Sequence, residues 1–215
     1  MLESLEDRRG GKGSVSRERQ FCFSDKDAYG EYDDDALVAL IAEGDQMACR
    51  VMVGRYLDAM VALARRFLGN HNDAEDVAQE VFVRLWRQAG RWQPGRAQFS
   101  TWLYRVAINL CLDVRHRHRT ASLEEQAEPV DTAGGPEHMV YESQIKAKVD
   151  EALGKLPERQ RAALVLSHHQ GLSNRETAEV LEISIEAVES LLSRARRALR
   201  QELMPSRDFL LQGSE

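Results

Sequence analysis

The stretch from Gly171 to Arg200 constrains this chain more than any other. Ser173 and Glu176 have the S-x-x-E spacing of a capping box, in which the serine accepts from a backbone N–H one turn ahead and the glutamate reaches back to the cap. The helix so begun is short: Leu181 ends it, Glu182 and Ile183 make a turn, and Ser184 is placed to cap a second helix. Ala178 is small and lets that helix approach closely. Ile183, Val188, Leu191 or Leu192, and Ala195 recur at helical spacing and predict its buried face.

Two helices joined this way have helix–turn–helix spacing, which predicts that the second enters a DNA major groove by its amino-terminal end. The outward positions near that end are Ser184, Glu186, Glu189, Ser190 and Ser193. Serine can bond a base edge or a phosphate, and glutamate can accept from the N4 amino group of cytosine. Arg194, Arg196, Arg197 and Arg200 follow, suited to phosphates, which position a protein and make its binding salt-dependent. A solvated basic face on an ordinary helical hairpin is the bland alternative, and it explains neither the capping box nor the short first helix.

The formal net charge of −6 weighs against a nucleic-acid binder only if charge is evenly spread. It is not: acid gathers in Asp25–Asp35 and Asp73–Glu80, and arginine in Arg115–Arg119 and Arg194–Arg200, as expected for one basic and one acidic partner surface. Cys22, Cys49 and Cys111 are far apart and form no CxxC or Cys/His pairing, so neither a zinc site nor a disulfide framework is expected. No apolar run approaches the ~18 residues that span a bilayer. The first residues also lack the apolar core of a secretory leader, so the expected compartment is the cytoplasm, with no direct membrane insertion.

Helical periodicity organises the rest, and no strand-like alternation of useful length occurs, so the expected fold is all-α. Residues 1–34 mix charge, Gly and Ser and read as a mobile extension. A first helical domain is predicted over 35–119. Gly44 ends its first helix; Asp45 and Gly69 are the expected caps of the second. Asn72 or Asp73 is expected to open the third, Gly90 to close it, and Ser100 to cap the fourth. Residues 120–137, acidic and holding Pro129, Gly134, Gly135 and Pro136, have linker chemistry. A second helical domain is predicted over 138–203, with Pro157 beginning a helix that Gly171 ends, and 204–215 form a tail.

With linker and motif in place, the chain resembles the extracytoplasmic-function sigma factors of bacterial RNA polymerase, in the order region two then region four. The region-two text is Asp73-Ala-Glu-Asp-Val-Ala-Gln-Glu-Val-Phe-Val-Arg-Leu-Trp86, then Phe99-Ser-Thr-Trp-Leu-Tyr-Arg-Val-Ala-Ile-Asn109 with Asp113 and the Arg/His run. The region-four text is Leu156-Pro157, Arg159-Gln-Arg, Gly171-Leu-Ser and Ser193-Arg-Ala-Arg-Arg-Ala-Leu-Arg200.

The resemblance implies that the helix bearing Asp76, Gln79, Glu80, Arg84 and Trp86 docks on the clamp helices of the polymerase largest subunit, and that the beta flap is a further contact. It implies that Trp92, Arg96, Gln98, Tyr104, Arg105, Asn109 and Arg115 read the minus-ten element as single strand, where aromatics stack on bases and arginines follow the backbone. Trp102, beside Leu103 and Val106, reads better as core. Ser184, Glu186, Glu189, Ser190, Ser193, Arg194 and Arg197 would meet the minus-thirty-five element. An anti-sigma protein is the implied regulator of a stress- or signal-responsive gene set, and no catalysis or cofactor is implied.

Two features depart from the family pattern: Glu182 stands where many relatives have Gly in the turn, and Glu189 and Leu191 stand where they often have Lys and Arg. Asp76 and Glu80, at i and i+4, could bind a divalent cation, but no histidine joins them, and a docking or solvated face is the preferred reading. A conventional dimeric regulator would use the same helix–turn–helix but gives no reason for Asp73–Trp86 or Phe99–Asn109. A metal-dependent helical enzyme lacks a nucleophile–base pair and a phosphate-binding loop.

Overall fold

A computed structural model describes residues 29–95, 98–122 and 137–204. Its helices are α1 (Asp34–Ala42), α2 (Gln46–Leu68), α3 (His71–Gln88), α4 (Phe99–Ser122), α5 (Glu137–Lys155), α6 (Glu158–Leu164), α7 (Asn174–Leu181) and α8 (Ile185–Leu203). A 3-10 turn, Ala89–Arg91, follows α3, and a π-helical turn, Val165–His169, follows α6. No strand occurs among the described residues.

Local chemistry sets most helix ends. Asp33 caps α1 by accepting from the Ala36 amide at 2.7 Å, and Asp45 caps α2 by accepting from Met47 and Ala48. Gly69 closes α2 at φ 78°, a left-handed conformation that costs a glycine little. The next residue, Asn70, accepts from the Asn72 amide at 2.9 Å, so α3 opens earlier than the expected Asn72 or Asp73. Ser100 likewise does not cap α4. The Gln98 carbonyl accepts the first intrahelical bond, from Trp102, and buried Phe99 anchors the start. At the far end of α3 the chain tightens into the 3-10 turn around Gly90 rather than stopping there.

The amino-terminal half forms a bundle around Leu37, Met52, Met60, Leu63, Phe67, Val81, Leu85, Leu103 and Ile108, each essentially sealed from solvent. Burying a side chain of this size is worth about 1.5–3 kcal/mol. The fold reaches back past the expected boundary at Asp35. Tyr29 donates to Asp45 Oδ2 at 2.7 Å, Arg55 donates to the Gly30 and Tyr32 carbonyls, and Asp34 accepts from both Arg55 and Tyr56. A second core, Leu153, Leu156, Ala163, Leu164, Ala178, Val188, Leu192 and Ala195, belongs to α5 to α8.

These two units pack on each other. Ala162, Val165, Leu166 and Val180 of the carboxyl-terminal half join the core of the first bundle. Buried Arg161 donates to the Phe67 carbonyl at 2.7 Å, and Arg66 pairs with Asp150 at 2.6 Å.

Candidate polymerase and DNA surfaces

Helix α3 is amphipathic in a way that sorts its sequence by role. Ala74, Val77, Ala78, Val81, Phe82 and Leu85 are buried against α2 and α4. On the outward side Asp76 and Gln79 are exposed, and Glu80 accepts from Arg84 Nε at 3.1 Å. Trp86 is 43% exposed and Val83 39%. Positions 76, 79, 80, 83 and 86 follow i, i+3, i+4 steps and share one face. The sequence reading missed Val83; its spacing from Gln79 and Trp86 was the available signal. A large indole left in water beside carboxylates is suited to packing on a partner's helix.

The minus-ten candidates separate. Trp92 is half-buried: its indole N–H donates to Asp35 Oδ1 at 2.7 Å, and its ring meets Phe99 and Trp102 edge-to-face, with centroids 5.7 and 6.1 Å apart. Trp102 packs against the same core. Gln98 and Asn109 are exposed, whereas Tyr104, Arg105 and Arg115 are half-buried because each meets the carboxyl-terminal unit. Tyr104 donates to Gln170 Oε1 at 3.4 Å, Arg105 Nη1 pairs with Glu182 Oε1 at 2.7 Å, and Arg115 Nε lies 3.7 Å from Glu158. Burial, with a lesser push from Glu176, raises the Tyr104 phenol above its usual range. Arg96 lies outside the described residues.

Helices α7 and α8 form the helix–turn–helix. The capping box is complete: Glu176 Oε2 accepts from the Ser173 amide at 2.8 Å and its hydroxyl at 2.7 Å, while the Glu176 amide donates to Ser173 Oγ. The Ser173 side-chain and backbone bonds hold the Glu176 carboxyl below the usual range. Glu182 makes the turn at φ 54°, the one non-glycine residue with positive φ among the described residues. This left-handed conformation costs an ordinary side chain about 1–2 kcal/mol.

Ser184 caps α8 by accepting from the Ala187 amide at 3.2 Å. Val188, Leu192 and Ala195 are buried, with Ile183 and Leu191 partly so, matching the predicted inner face. Glu186, Glu189, Ser193, Arg194 and Arg197 are exposed, and Ser190 Oγ accepts from Arg194 at 2.9 Å. Ile185, first residue of α8 and 42% exposed, was not singled out from sequence; apolar side chains at such a position suit a thymine methyl. Acid in the first turn and arginine in the last also complement the helix dipole.

Residues 52–121 match the family described as Sigma-70 region 2, and residues 146–199 match Sigma-70, region 4. An ECF RNA polymerase sigma factor, SigE of Mycolicibacterium smegmatis, is 35% identical over 189 residues, covering 84% of this chain and 73% of its own. The chain belongs to the extracytoplasmic-function RNA polymerase sigma factors. The RNA polymerase sigma-H factor of Pseudomonas aeruginosa is 33% identical over 80% of this chain and 94% of its own. The solved structure of CnrH in complex with the cytosolic domain of CnrY is similar at 32% identity and TM-score 0.62, over 80% of this chain and 97% of that one.

In this sigma factor the region-two match runs from within α2 through α3 to the end of α4, and the region-four match from within α5 through α6 and α7 into α8. Among the described residues no group of three or more His, Cys, Asp or Glu could hold a metal ion, and no helix is long and apolar enough to cross a membrane.

Proposed function

We propose that this sigma factor docks on the clamp helices of core polymerase through the α3 face of Asp76, Gln79, Glu80, Arg84 and Trp86, extended by Val83. The observation that carries this reading is the exposed Val83–Trp86 apolar pair, beside Asp76 and Glu80, on a helix whose opposite face is buried. In the same reading Gln98, Tyr104, Arg105, Asn109 and Arg115, with Arg96, face the melted minus-ten strand. Trp92 contributes there chiefly by bracing the loop through Asp35 and Phe99. The α8 set Ser184, Glu186, Glu189, Ser190, Ser193, Arg194 and Arg197 meets the minus-thirty-five element, with the region-four unit on the beta flap.

Residues 35–119 and 138–203 form the two binding units, 120–137 their tether, and 1–28 and 204–215 the flanking segments. Tyr29 to Asp34 are counted with the first unit because of their bonds to α2. The chain works in the cytoplasm by binding, without catalysis of its own, and serves a signal-responsive gene set. CnrH was solved bound to the cytosolic domain of CnrY, which supports a bound protein as this chain's regulator, in keeping with the anti-sigma protein that the family implies.

The test is run-off transcription with sigma-free core polymerase on candidate promoters, beginning with the region upstream of the gene itself. Specific transcripts that vanish with Asp76→Lys and Glu80→Lys are expected. Absence of both core binding and initiation by the unaltered chain overturns the reading.

A further inference from the structure

Gln98, just before α4, and Arg105 on it face Glu176 and Glu179 of α7, and Glu182 at its end, across a cleft. Both terminal nitrogens of Arg105 are engaged across it: Nη1 bonds the Glu182 carboxylate at 2.7 Å and Nη2 the Glu179 carbonyl at 2.6 Å, while Nε is buried without a partner. A guanidinium fork gripping two oxygens is the arrangement arginine uses on a phosphate. Tyr104 and Arg115 also meet the region-four unit, at Gln170 and Glu158. Three of the side chains assigned to the minus-ten strand, Tyr104, Arg105 and Arg115, are thus occupied by the chain's own oxygens.

Glu182 is an unexpected residue for its place. Its backbone is left-handed, where glycine or asparagine sits with less strain, and its side chain touches nothing needed to form the turn. The turn itself is closed by backbone bonds from Glu182 and Ile183 to the Ala178 carbonyl. What the glutamate adds is the carboxylate on Arg105. The pair is exposed on the Glu182 side, so it is weak, sensitive to salt and readily exchanged for a competing anion. Those are the properties of a releasable contact.

We propose that Glu182 is an intramolecular latch: its carboxylate stands in for a promoter phosphate on Arg105 and holds the helix–turn–helix over the strand-reading face of α4 until polymerase separates the two units. The inference rests on assigning Arg105 to the minus-ten strand. It makes the free chain a poor binder of single-stranded promoter DNA without any second protein. Opening the latch removes that penalty, because apparent affinity scales with the fraction of binding-competent molecules.

The test uses the full chain carrying fluorophores at exposed Asn72 and Gln201, introduced without cysteine chemistry. Energy transfer is compared in the unaltered chain, Glu182→Gly, Glu182→Arg, and Glu182→Arg combined with Arg105→Glu. Glycine suits the left-handed turn, so a change in that variant does not come from a misfolded helix–turn–helix. Transfer is expected to fall in both single variants and to return in the charge-swapped pair.

Affinity of free Glu182→Gly for a single-stranded oligonucleotide from the non-template strand of an active promoter is expected to rise about threefold, the scale of an exposed ion pair. Unchanged transfer in Glu182→Gly overturns the latch. Lowered transfer with unchanged strand affinity overturns its inhibitory role. The underlying assignment fails separately, if Arg105→Ala leaves promoter opening by the holoenzyme unaltered.

Discussion

The guanidinium of Arg161 lies over the Phe67 ring, 5.7 Å from its centroid, and donates to the carbonyl of that same residue at 2.7 Å. Phe67 stands in the last turn of α2, where carbonyls lack intrahelical partners and the helix dipole is negative, so a cation from the other unit meets a complementary site. The match is incomplete. Arg161 Nε and Nη2 are buried without a hydrogen bond, and burial, with a lesser push from Arg115, lowers its pKa to about 10, still charged at neutral pH.

Arg161→Ala should therefore destabilise the chain by about 2–4 kcal/mol, through the cavity left over Phe67 and the orphaned carbonyl. Arg161→Met keeps the apolar stem and removes the desolvated charge, so it should recover at least half of that loss. Urea unfolding midpoints of the full chain measure both. Equal losses in the two variants would show that the charge, not the packing, holds the contact.

What was legible in the sequence was local. Asp45, Gly69, Ser173 and Ser184 cap as their side-chain chemistry demands, because each bond closes within a few residues. The α3 start slipped because Gly69 frees Asn70 to cap at once, leaving Asn72 as the residue whose amide is capped. Ser100 failed as a cap because burial of Phe99 fixes where α4 begins, and burial is a tertiary event. Arg105 with Glu182, Arg66 with Asp150 and Trp92 with Asp35 join residues far apart in the chain, so no periodicity announces them. At the candidate surfaces the outward residues of α3 and α8 were readable from helical spacing. The engagement of Tyr104, Arg105 and Arg115 by the other unit was not.

The α3 face predicts a division between stability and binding. Trp86→Ala and Val83→Asp change side chains that the fold leaves 43% and 39% exposed, so the unfolding free energy should fall by no more than about 1 kcal/mol. Affinity for core polymerase should fall about 30-fold or more for Trp86→Ala, the scale of a central aromatic anchor. Fluorescence titration of core polymerase with each purified variant checks the pair, and loss of stability in parallel with binding would place Trp86 in the fold instead.

The capping box supplies a pH prediction with a definite sign. Glu176 is held below its ordinary carboxylate range in the folded chain by Ser173, so its contribution is present above the unfolded Glu pKa of about 4.3 and is lost as pH falls through the lower folded value. The stability difference between the unaltered chain and Glu176→Gln should be constant at neutral pH and shrink on that acid limb. Ser173→Ala should cost about 1 kcal/mol near neutrality. Thermal unfolding followed by circular dichroism across pH 3 to 7 reads both, and a difference that grows toward acid would contradict the carboxylate's role.

In the proposed promoter reading, helix α8 separates sequence reading from phosphate binding along its length. Its first turns expose Ile185, Glu186 and Glu189, and its later turns expose Arg194, Arg197 and Arg200. The Glu186 carboxyl is held below the usual carboxylate range by its own backbone N–H and Ser184, and a carboxylate is an acceptor, a partner for a cytosine amino group rather than for guanine acceptors. A minus-thirty-five element selected from a random library should carry cytosine opposite Glu186 or Glu189. Glu189→Lys should move that preference toward guanine, with discrimination changed by about 1–3 kcal/mol at one base pair. Arg197→Ala should instead weaken all sequences alike and reduce the slope of log affinity against log salt by about one. Binding selections and salt titrations on the same holoenzyme separate the two. If Glu189→Lys changed only the salt slope, glutamate at this position would be reading charge and not sequence.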